Sequence, residues 1–570
     1  MLRKLSTKLN IIDTFENSTK KPLVFLALIG LAGLFLRLAY FPYDIPLIAD
    51  GQGYFWYAID MSILNQLPVG YPIQNTGWPS FLSIIFQLID SNNFLDYHNM
   101  QRIVGVVFSL ATIFPIYFLC SRYFKKSYSL LGATLFVFEP KLVQNSLLGT
   151  PESMYIFLMA TLLFLFLSNN FNRIYLAFGI IGLLALVRFE GLLMIIPISI
   201  VFFIRFRKQK KDLIKYIVCI SIFILILIPM AYLNNERTEQ DVSLSGLNIP
   251  TDGLISHIAA GPDYYITTSQ SGSTTIIDLL YIGSINLIKY VGWSQIPSFI
   301  IFIPLGIILV FKSLDYKKII IILSILIMLI PAFYGYSREI QEIKYIFVLY
   351  PIFCVLACFT FKTFFERFNR KNLLFCTIIV GIIFSSVSFI EWKSVDHEHE
   401  REAFEIMMDV SNFDMKVNVD IGMYGKEFGY IHWAKIYDNN EFPNLKKSFK
   451  FSKDIMFFYE PIHMDEAKIN LPTAKNAENT KINYKMIKSI IQYFSIGKEN
   501  QLTHLLIDNH NNADGRIMKI ENELKYIFSN EKEFPFLKKV YDSKEEGYNY
   551  HVKLFKINYE EFREYLESNL

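Results

Sequence analysis

Cysteine is scarce in this chain and confined to one setting. Of 570 residues five are Cys, and Cys120, Cys219, Cys354, Cys358 and Cys376 all lie within or at the ends of apolar runs. None is left for a water-exposed part, which excludes a disulfide framework, a CxxC redox pair and a cysteine zinc site. A large excess of one charge is lacking too. The formal net charge of +3 is too small to hold nucleic acid, and the bases stand in short clusters beside apolar runs, as topology signals do. A GxxxxGK loop, GxGxxG after a strand, HExxH and GxSxG are all absent in any supporting context, so nucleotide-driven and hydrolytic readings have no motif to rest on. There is no internal repeat and no low-complexity segment, which counts against a transporter built from paired halves.

What the chain has in abundance is apolar surface. Hydrophobic residues make up 52% and aromatics 16%, with a mean hydropathy of +0.32, more than a soluble fold can hide, so the chain is read as a polytopic membrane protein. The first run, Pro22 to Tyr43, follows Arg3, Lys4, Lys8, Lys20 and Lys21. It is longer than a signal-peptide core and no A-x-A-like site follows it, so it reads as a retained first transmembrane helix with a cytoplasmic N-terminus. Further runs at 101–120, 127–146, 153–168, 173–188, 190–205, 213–233, 297–312, 318–335, 345–361 and 372–390 bring the expectation to about eleven spans. Basic clusters at Arg122 to Lys126, Arg205 to Lys211, Lys312 to Lys318 and Lys362 to Lys371 mark alternate connections as cytoplasmic. That assignment places 44–100, 146–152, 234–296, 336–344 and everything after about residue 391 on the outer face.

The expected fold class is therefore mainly α, a polytopic helical bundle over 1–390, followed by an extracytoplasmic α/β domain over 391–570. The tail carries about six more acids than bases and no spanning run. LTHLLIDN (502–509) and YHVKLFKINY (550–559) have the alternation of strands, while EAFEIMMDV and 515–527 look helical. The 234–296 stretch is long for a bare connection and reads as a lid or acceptor-binding element.

The stretch from Ile45 to Pro79, IPLIADGQGYFWYAIDMSILNQLPVGYPIQNTGWP, gathers acids, glycines and aromatics at the mouth of the bundle. Asp50, with Gly51, Gly53 and Tyr54 behind it, is a candidate general base, or else an acid capping a short helix at the membrane surface. Asp44 either ligates a metal or sits in the FPYDIP turn. Glu152, in Thr150-Pro151-Glu152, reads either as an acid complementing a helix dipole or as a partner of Asp50; with Asp44 the two would form a site for a divalent cation. Glu139 lies inside an apolar run with Lys141 near enough in sequence to neutralise it. Arg37 and Arg102 stand at span ends where an arginine can snorkel, and Arg188 and Glu190 read as an ion pair. The loop YSREIQEIKY (336–345) holds Arg338, Glu339, Glu342 and Lys344, two cations that suit an anionic head group or a merely solvated loop. Trp78 opens a segment too short to span, read as lying along the outer leaflet. His397-Glu-His399 reads as a charged linker before a metal pair, and His98 as an interfacial polar residue.

In order and topology these features resemble the C-type glycosyltransferase superfamily over residues 22–390. They are the first-loop acid in Asp50-Gly-Gln-Gly-Tyr54, Gly77-Trp78-Pro79, Pro151-Glu152 opening the fourth span, Arg188-Phe-Glu-Gly191, and Lys344-Tyr345 leading to Tyr350-Pro351. The branch of protein O-mannosyltransferases and aminoarabinose transferases is the most similar. The resemblance implies transfer of a sugar from a polyprenyl-phosphate donor to a hydroxyl acceptor on the outer face, and a single in-line displacement would invert the anomeric carbon. It implies Asp50 as base, Glu152 as its support, and Arg338 and Lys344 on the lipid phosphate. Arg37 joins that phosphate set, and Tyr54, Trp78, Arg102, Arg188 and Glu190 complete the candidate substrate-binding residues. The outer acids are compatible with a divalent cation without requiring one, no other cofactor is implied, and the partners implied are the donor, membrane lipid and an acceptor of unspecified kind. The chain departs from the pattern in having Lys344-Tyr345 for the commoner Arg-Tyr pair, and Gly51 where many mannosyltransferases follow the acid with Glu. An oligosaccharyltransferase is the alternative, although the tail lacks WWDYG and offers only GYIHWAK (429–435). A lipid-sugar transporter is a second alternative.

Overall fold

Long runs of Leu, Ile and Phe give a backbone in hydrocarbon no partner but itself, and the helix answers that need. The computed structural model describes residues 15–18, 20–47, 49–64, 76–89, 91, 94–206, 210–238, 276–338, 340, 342–394, 398–411, 490–495, 497–498, 502–508 and 521–569. Through residue 392 these are helical, in order α1 (Lys20–Ala39), α2 (Ala49–Leu64), α3 (Gly77–Phe86), α4 (Phe94–Ala111), α5 (Ile113–Cys120), α6 (Lys126–Val137), α7 (Pro140–Ser146), α8 (Glu152–Phe166) and α9 (Phe171–Val187). A 3-10 turn at Phe189–Met194 leads into α10 (Ile195–Phe206), then α11 (Lys210–Thr238), α12 (Ile276–Ser294), α13 (Phe302–Phe311) and α14 (Tyr316–Ser337). A second 3-10 segment, Ile343–Leu349, precedes α15 (Tyr350–Arg367), and α16 (Lys371–Trp392) follows.

Among the described residues seven segments are long and apolar enough to cross a membrane: Lys20–Ala39, Leu95–Cys120, Phe189–Phe206, Asp212–Tyr232, Tyr316–Ser337, Ile343–Arg367 and Lys371–Trp392. Shorter apolar helices lie at Gly77–Phe86, Glu152–Phe166, Phe171–Val187 and Phe302–Phe311. The run 127–146, expected as one span, is divided at Glu139, whose extended backbone (ψ 114°) is followed by Pro140 at the start of α7. Proline has no N–H for the preceding turn and starts a helix more readily than it continues one. The 297–312 run is helical only from Phe302. Of the expected outer connection 234–296, both ends are helix, and residues 239–275 lie outside the described part.

Two compact units divide the chain: residues 1–42, 50–88 and 98–394, and residues 43–49, 89–97 and 395–570. The first has a core that includes Phe136, Phe166, Phe178, Tyr336, Tyr350 and Phe361. Large apolar side chains such as Phe35, Leu225, Ile288 and Phe384 stand exposed on α1, α11, α12 and α16, as expected of surfaces turned to lipid. In the second unit α17 (Glu398–Ser411) and α18 (Glu521–Ser529) accompany strands β1 (His504–Asp508), β2 (Leu537–Asp542) and β3 (Val552–Ile557), with α19 (Tyr559–Asn569) last. The strands form an antiparallel sheet in the order β1-β3-β2, with a register shift between Lys539 and Tyr541. Both expected strands and the 402–410 helix appear there, and of 515–527 the part from Glu521 is helical. Asp409 on α17 accepts from the hydroxyls of Tyr541 (3.1 Å) and Tyr548 (3.3 Å), and Glu402 accepts the backbone N–H groups of Asn549 (3.0 Å) and Tyr550 (2.7 Å). These bonds fasten the helix to the β2–β3 hairpin. His397 and the GYIHWAK stretch lie outside the described residues.

Candidate functional site

Asp50 lies in the first turn of α2, which begins at Ala49. It is therefore inside the helix rather than capping it, where the helix dipole favours a carboxylate. Its Oδ2 meets the Lys344 ammonium at 2.5 Å, and Lys344 also pairs with Glu342. Lys344 stands near the start of the Ile343–Leu349 segment. Tyr336 steadies that entry by donating its hydroxyl to the Glu342 carbonyl at 3.0 Å, while Asn286 on α12 donates to the Tyr336 carbonyl at 3.2 Å. Two stretches almost three hundred residues apart in the chain thus meet through one ion pair.

A second and more buried group stands beside the first. Glu152 is the first residue of α8, and its Oε1 receives the Arg188 guanidinium at 2.6 Å. Arg188 also reaches Glu190 at 2.9 Å. The three side chains are only 4%, 11% and 8% exposed for Glu152, Arg188 and Glu190, so one cation serves two carboxylates away from bulk water. The expected Arg188–Glu190 pair is present, with Glu152 as a third member that the linear sequence did not join to it. The guanidinium also lies 5.9 Å from the Tyr155 ring centre and 5.7 Å from that of Tyr345. Glu152 Oε2 and the Tyr155 hydroxyl are buried and find no hydrogen-bond partner among the described residues.

Tyr54, one turn along α2 from Asp50, joins the two groups electrostatically. Burial first, then the Glu152 carboxylate, raise its pKa well above the usual tyrosine value; Asp50 adds to this, while Arg188 and Lys344 oppose it. The phenol stays protonated at any physiological pH and is available as a donor beside both carboxylates. In all, Asp50, Glu152, Glu190 and Glu342 surround two bases, Lys344 and Arg188.

Several other candidate residues are engaged by the surrounding scaffold. Arg37 does not snorkel. It is fully buried and donates to Ser146 Oγ (3.2 Å), Ser109 Oγ (2.8 Å) and the carbonyls of Gly33 (3.1 Å) and Val137 (3.2 Å). Arg102 does not snorkel either: it is buried and bonded to the Leu147 carbonyl (3.1 Å), the Pro42 carbonyl (3.3 Å) and Asn99 (3.2 Å). Trp78 is fully buried and donates to the Gly149 carbonyl at 3.1 Å. Its neighbour Gly77 lies so close to the Leu186 carbonyl that a Cβ would come within 2.6 Å of it. Arg338 places its guanidinium 4.5 Å from the Tyr334 ring centre.

One residue of this scaffold was not singled out from the sequence. The Gln101 amide nitrogen donates to both the Gly51 carbonyl (2.9 Å) and the Gly149 carbonyl (2.7 Å). It ties the turn of Asp50 to the connection leading to Glu152. Gly149 has φ +70°, a left-handed backbone that suits glycine, and it lets the chain leave α7 toward α8 with its carbonyl turned to Gln101 and Trp78. The only sequence signal was a Gln beside Arg102 at the start of an apolar run.

Each of the three carboxylates weighed for a divalent cation is paired with a base. Asp50 is taken by Lys344, Glu152 by Arg188, and Asp44, in the second unit, by Arg401 at 2.7 Å. Among the described residues no group of three or more His, Cys, Asp or Glu is placed to hold a metal. A cation would have to displace a base from each.

Residues 79–232 match the family described as dolichyl-phosphate-mannose-protein mannosyltransferase. That stretch contains Glu152, Arg188 and Glu190 and stops short of Asp50 on one side and Lys344 on the other. No curated protein sequence matches the chain. Among solved structures, the Archaeoglobus fulgidus oligosaccharyltransferase tethered to an acceptor peptide with the NVT sequon is similar at TM-score 0.52 and 13% identity, over 86% of this chain and 69% of that one. ArnT from Cupriavidus metallidurans, bound to undecaprenyl phosphate, is similar at TM-score 0.51 and 10% identity, over 95% of this chain and 98% of that one. At such identities the likeness is one of fold. The resemblance drawn from the sequence is borne out as a likeness of fold to these two proteins and as the partial family match over residues 79–232.

Proposed function

We propose that the chain transfers a sugar from a polyprenyl-phosphate-linked donor to a hydroxyl acceptor at the outer face of the membrane, by a single inverting displacement. The observation that carries this reading is the Asp50–Lys344 pair, 2.5 Å apart, which sets a carboxylate beside a cation in a fold shared with a protein bound to undecaprenyl phosphate. In the reaction the acceptor O–H gives its proton to Asp50, and the acceptor oxygen attacks the anomeric carbon. The bond from that carbon to the lipid phosphate breaks with its electron pair on the phosphate oxygen, where Lys344 and Arg338 meet the growing charge. Donor phosphate would draw Lys344 away from Asp50 and so free the base for the acceptor. Glu152, held by Arg188, lines the acceptor or sugar side with Tyr54 and Glu190. In this reading the chain is a multi-pass membrane protein with the site at the outer end of the bundle, the N-terminus cytoplasmic and residues 391–570 outside.

Purified protein incubated with a panel of polyprenyl-phosphate sugars and scored by mass spectrometry tests the reading. Asp50→Asn is expected to lower transfer by about a hundredfold or more while donor binding persists. Full activity in that variant overturns the assignment of the base, and no turnover of any donor by the parent overturns the reaction class. An Asn-containing peptide offered beside hydroxyl acceptors separates the two acceptor chemistries.

A further inference from the structure

At the end of α8 remote from Glu152, three arginines converge. The Arg122 guanidinium, just beyond α5, lies 4.9 Å from the Phe164 ring centre, and that of Arg173, in the first turn of α9, lies 6.0 Å from the same ring. Arg205, near the end of α10, donates to the carbonyls of Phe166 (2.9 Å) and Ser168 (2.7 Å) and to Asn169 Oδ1 (2.7 Å), with its guanidinium 4.9 Å from the Tyr316 ring centre. The Lys317 ammonium donates to the Arg122 carbonyl at 2.9 Å and adds a fourth positive charge. None of the three guanidiniums has a carboxylate within ion-pair distance among the described residues, whereas Arg188 and Lys344 each stand between two.

Arg122 is the informative member. Its Nε and Nη2 are closed off from solvent and find no acceptor among the described residues. Those two nitrogens form one side of the guanidinium fork, and turned outward that edge can meet two oxygens of a phosphate at once. Burial, then Arg173 and Arg205, depress the affinity of the Arg122 guanidinium for its proton, which marks surroundings short of negative charge. Buried donors without acceptors and cations without counter-charge both cost free energy, and one anion relieves both. Exposed apolar side chains, Leu176 on α9 and Phe203 and Ile204 on α10, stand on the same two helices and offer a surface for acyl chains.

We propose that Arg122, Arg173 and Arg205 form a binding site for a phosphate oxyanion, carried by an anionic lipid headgroup or by free phosphate, at the end of the bundle away from Asp50. The site is separate from the proposed donor site and does not depend on the transfer reaction. The test uses the full chain carrying Lys344→Gln and Arg338→Gln, so that both proposed donor-phosphate contacts are removed, in phosphatidylcholine nanodiscs. Binding of dihexanoyl phosphatidylglycerol, dihexanoyl phosphatidylcholine and inorganic phosphate is measured with and without Arg122→Gln plus Arg173→Gln. Phosphatidylglycerol binding at least about tenfold tighter than phosphatidylcholine, and lost in the double variant, supports the lipid source. Inorganic phosphate binding that is lost in the same variant supports the free ion. Equal binding of both lipids with no phosphate binding, or affinities unchanged by the substitutions, overturns the site. Arg173→Gln alone, at an exposed position, supplies the comparison where the double variant does not fold.

Discussion

Three segments run between two ends of the helical bundle: α8 from Glu152 to Phe166, the stretch from Glu190 to Arg205, and α14 from Tyr316 to Ser337. The charges at those ends are arranged in opposite ways. Around Glu152 each base is flanked by two acids, Arg188 by Glu152 and Glu190, and Lys344 by Asp50 and Glu342. Around Phe166 three arginines make no ion pair among the described residues, and Arg205 is occupied with the last carbonyls of α8 and their neighbours. Fourteen helical steps of about 1.5 Å separate the two ends by roughly 20 Å, too far for one set to neutralise the other across a screened distance. An end with its charges internally paired can hold a reacting group in place and exchange one partner for a ligand. Guanidiniums left without an ion pair can take a counter-charge from a ligand.

Removing a cation should therefore have opposite consequences at the two ends, and the largest effect is expected at Arg188. Replacing it with Met leaves Glu152 and Glu190 buried with no counter-charge, a loss of about 3–5 kcal/mol for a buried group stripped of its partner. Thermal unfolding in detergent should show a marked drop in midpoint for Arg188→Met. Adding Glu190→Gln should recover part of it, because one of the two uncompensated charges is then gone. A midpoint unchanged in Arg188→Met would mean that the three-residue cluster is not what holds α8 to the α9–α10 connection.

A smaller effect is expected at Gln101. Gln101→Leu keeps the volume and removes both hydrogen bonds, leaving the Gly51 carbonyl without this donor while Gly149 retains Trp78. The expected cost is about 1–3 kcal/mol. If Gln101 positions Asp50 against Glu152, kcat for transfer falls more than the apparent KM rises. A change in KM alone would assign Gln101 to substrate binding.

These residues also show what the sequence could and could not reveal. Asp50, Glu152, Arg188 and Lys344 stood out because charge at the edge of an apolar run is costly unless it has a role, and the structure does bring them into neighbouring clusters. The same reasoning did not foresee how Arg37, Arg102 and Trp78 are held, since a polar side chain at a span end looks alike whether it turns to water or to the next loop. Here the connection at 146–149 leaves helical pairing, and its open carbonyls and the Ser146 hydroxyl take donors from α1, α3 and α4. Which donor serves which carbonyl is a property of the packed bundle and leaves no spacing in the chain. Span boundaries suffered similarly: the break at Glu139 follows from Pro140, yet a continuous apolar composition masks it. The β3 strand and the α17 helix were legible because their alternation is local.

The smallest effect, and the one that most directly opposes the two ends, is expected at Arg173. It is exposed, makes no ion pair among the described residues, and stands near Arg122. Arg173→Gln should change stability by no more than about 0.5 kcal/mol, with a sign toward stabilisation in neutral phosphatidylcholine, because one like-charge repulsion disappears. In nanodiscs containing phosphatidylglycerol the sign should reverse, since the parent then gains a counter-charge that the variant holds less well. The unfolding midpoints of parent and variant should thus cross between the two lipids, whereas the midpoint deficit of Arg188→Met should be the same in both. A deficit for Arg173→Gln that does not depend on lipid would mean the arginine end has a counter-charge of its own within the protein, and the contrast between the two ends would fall with it.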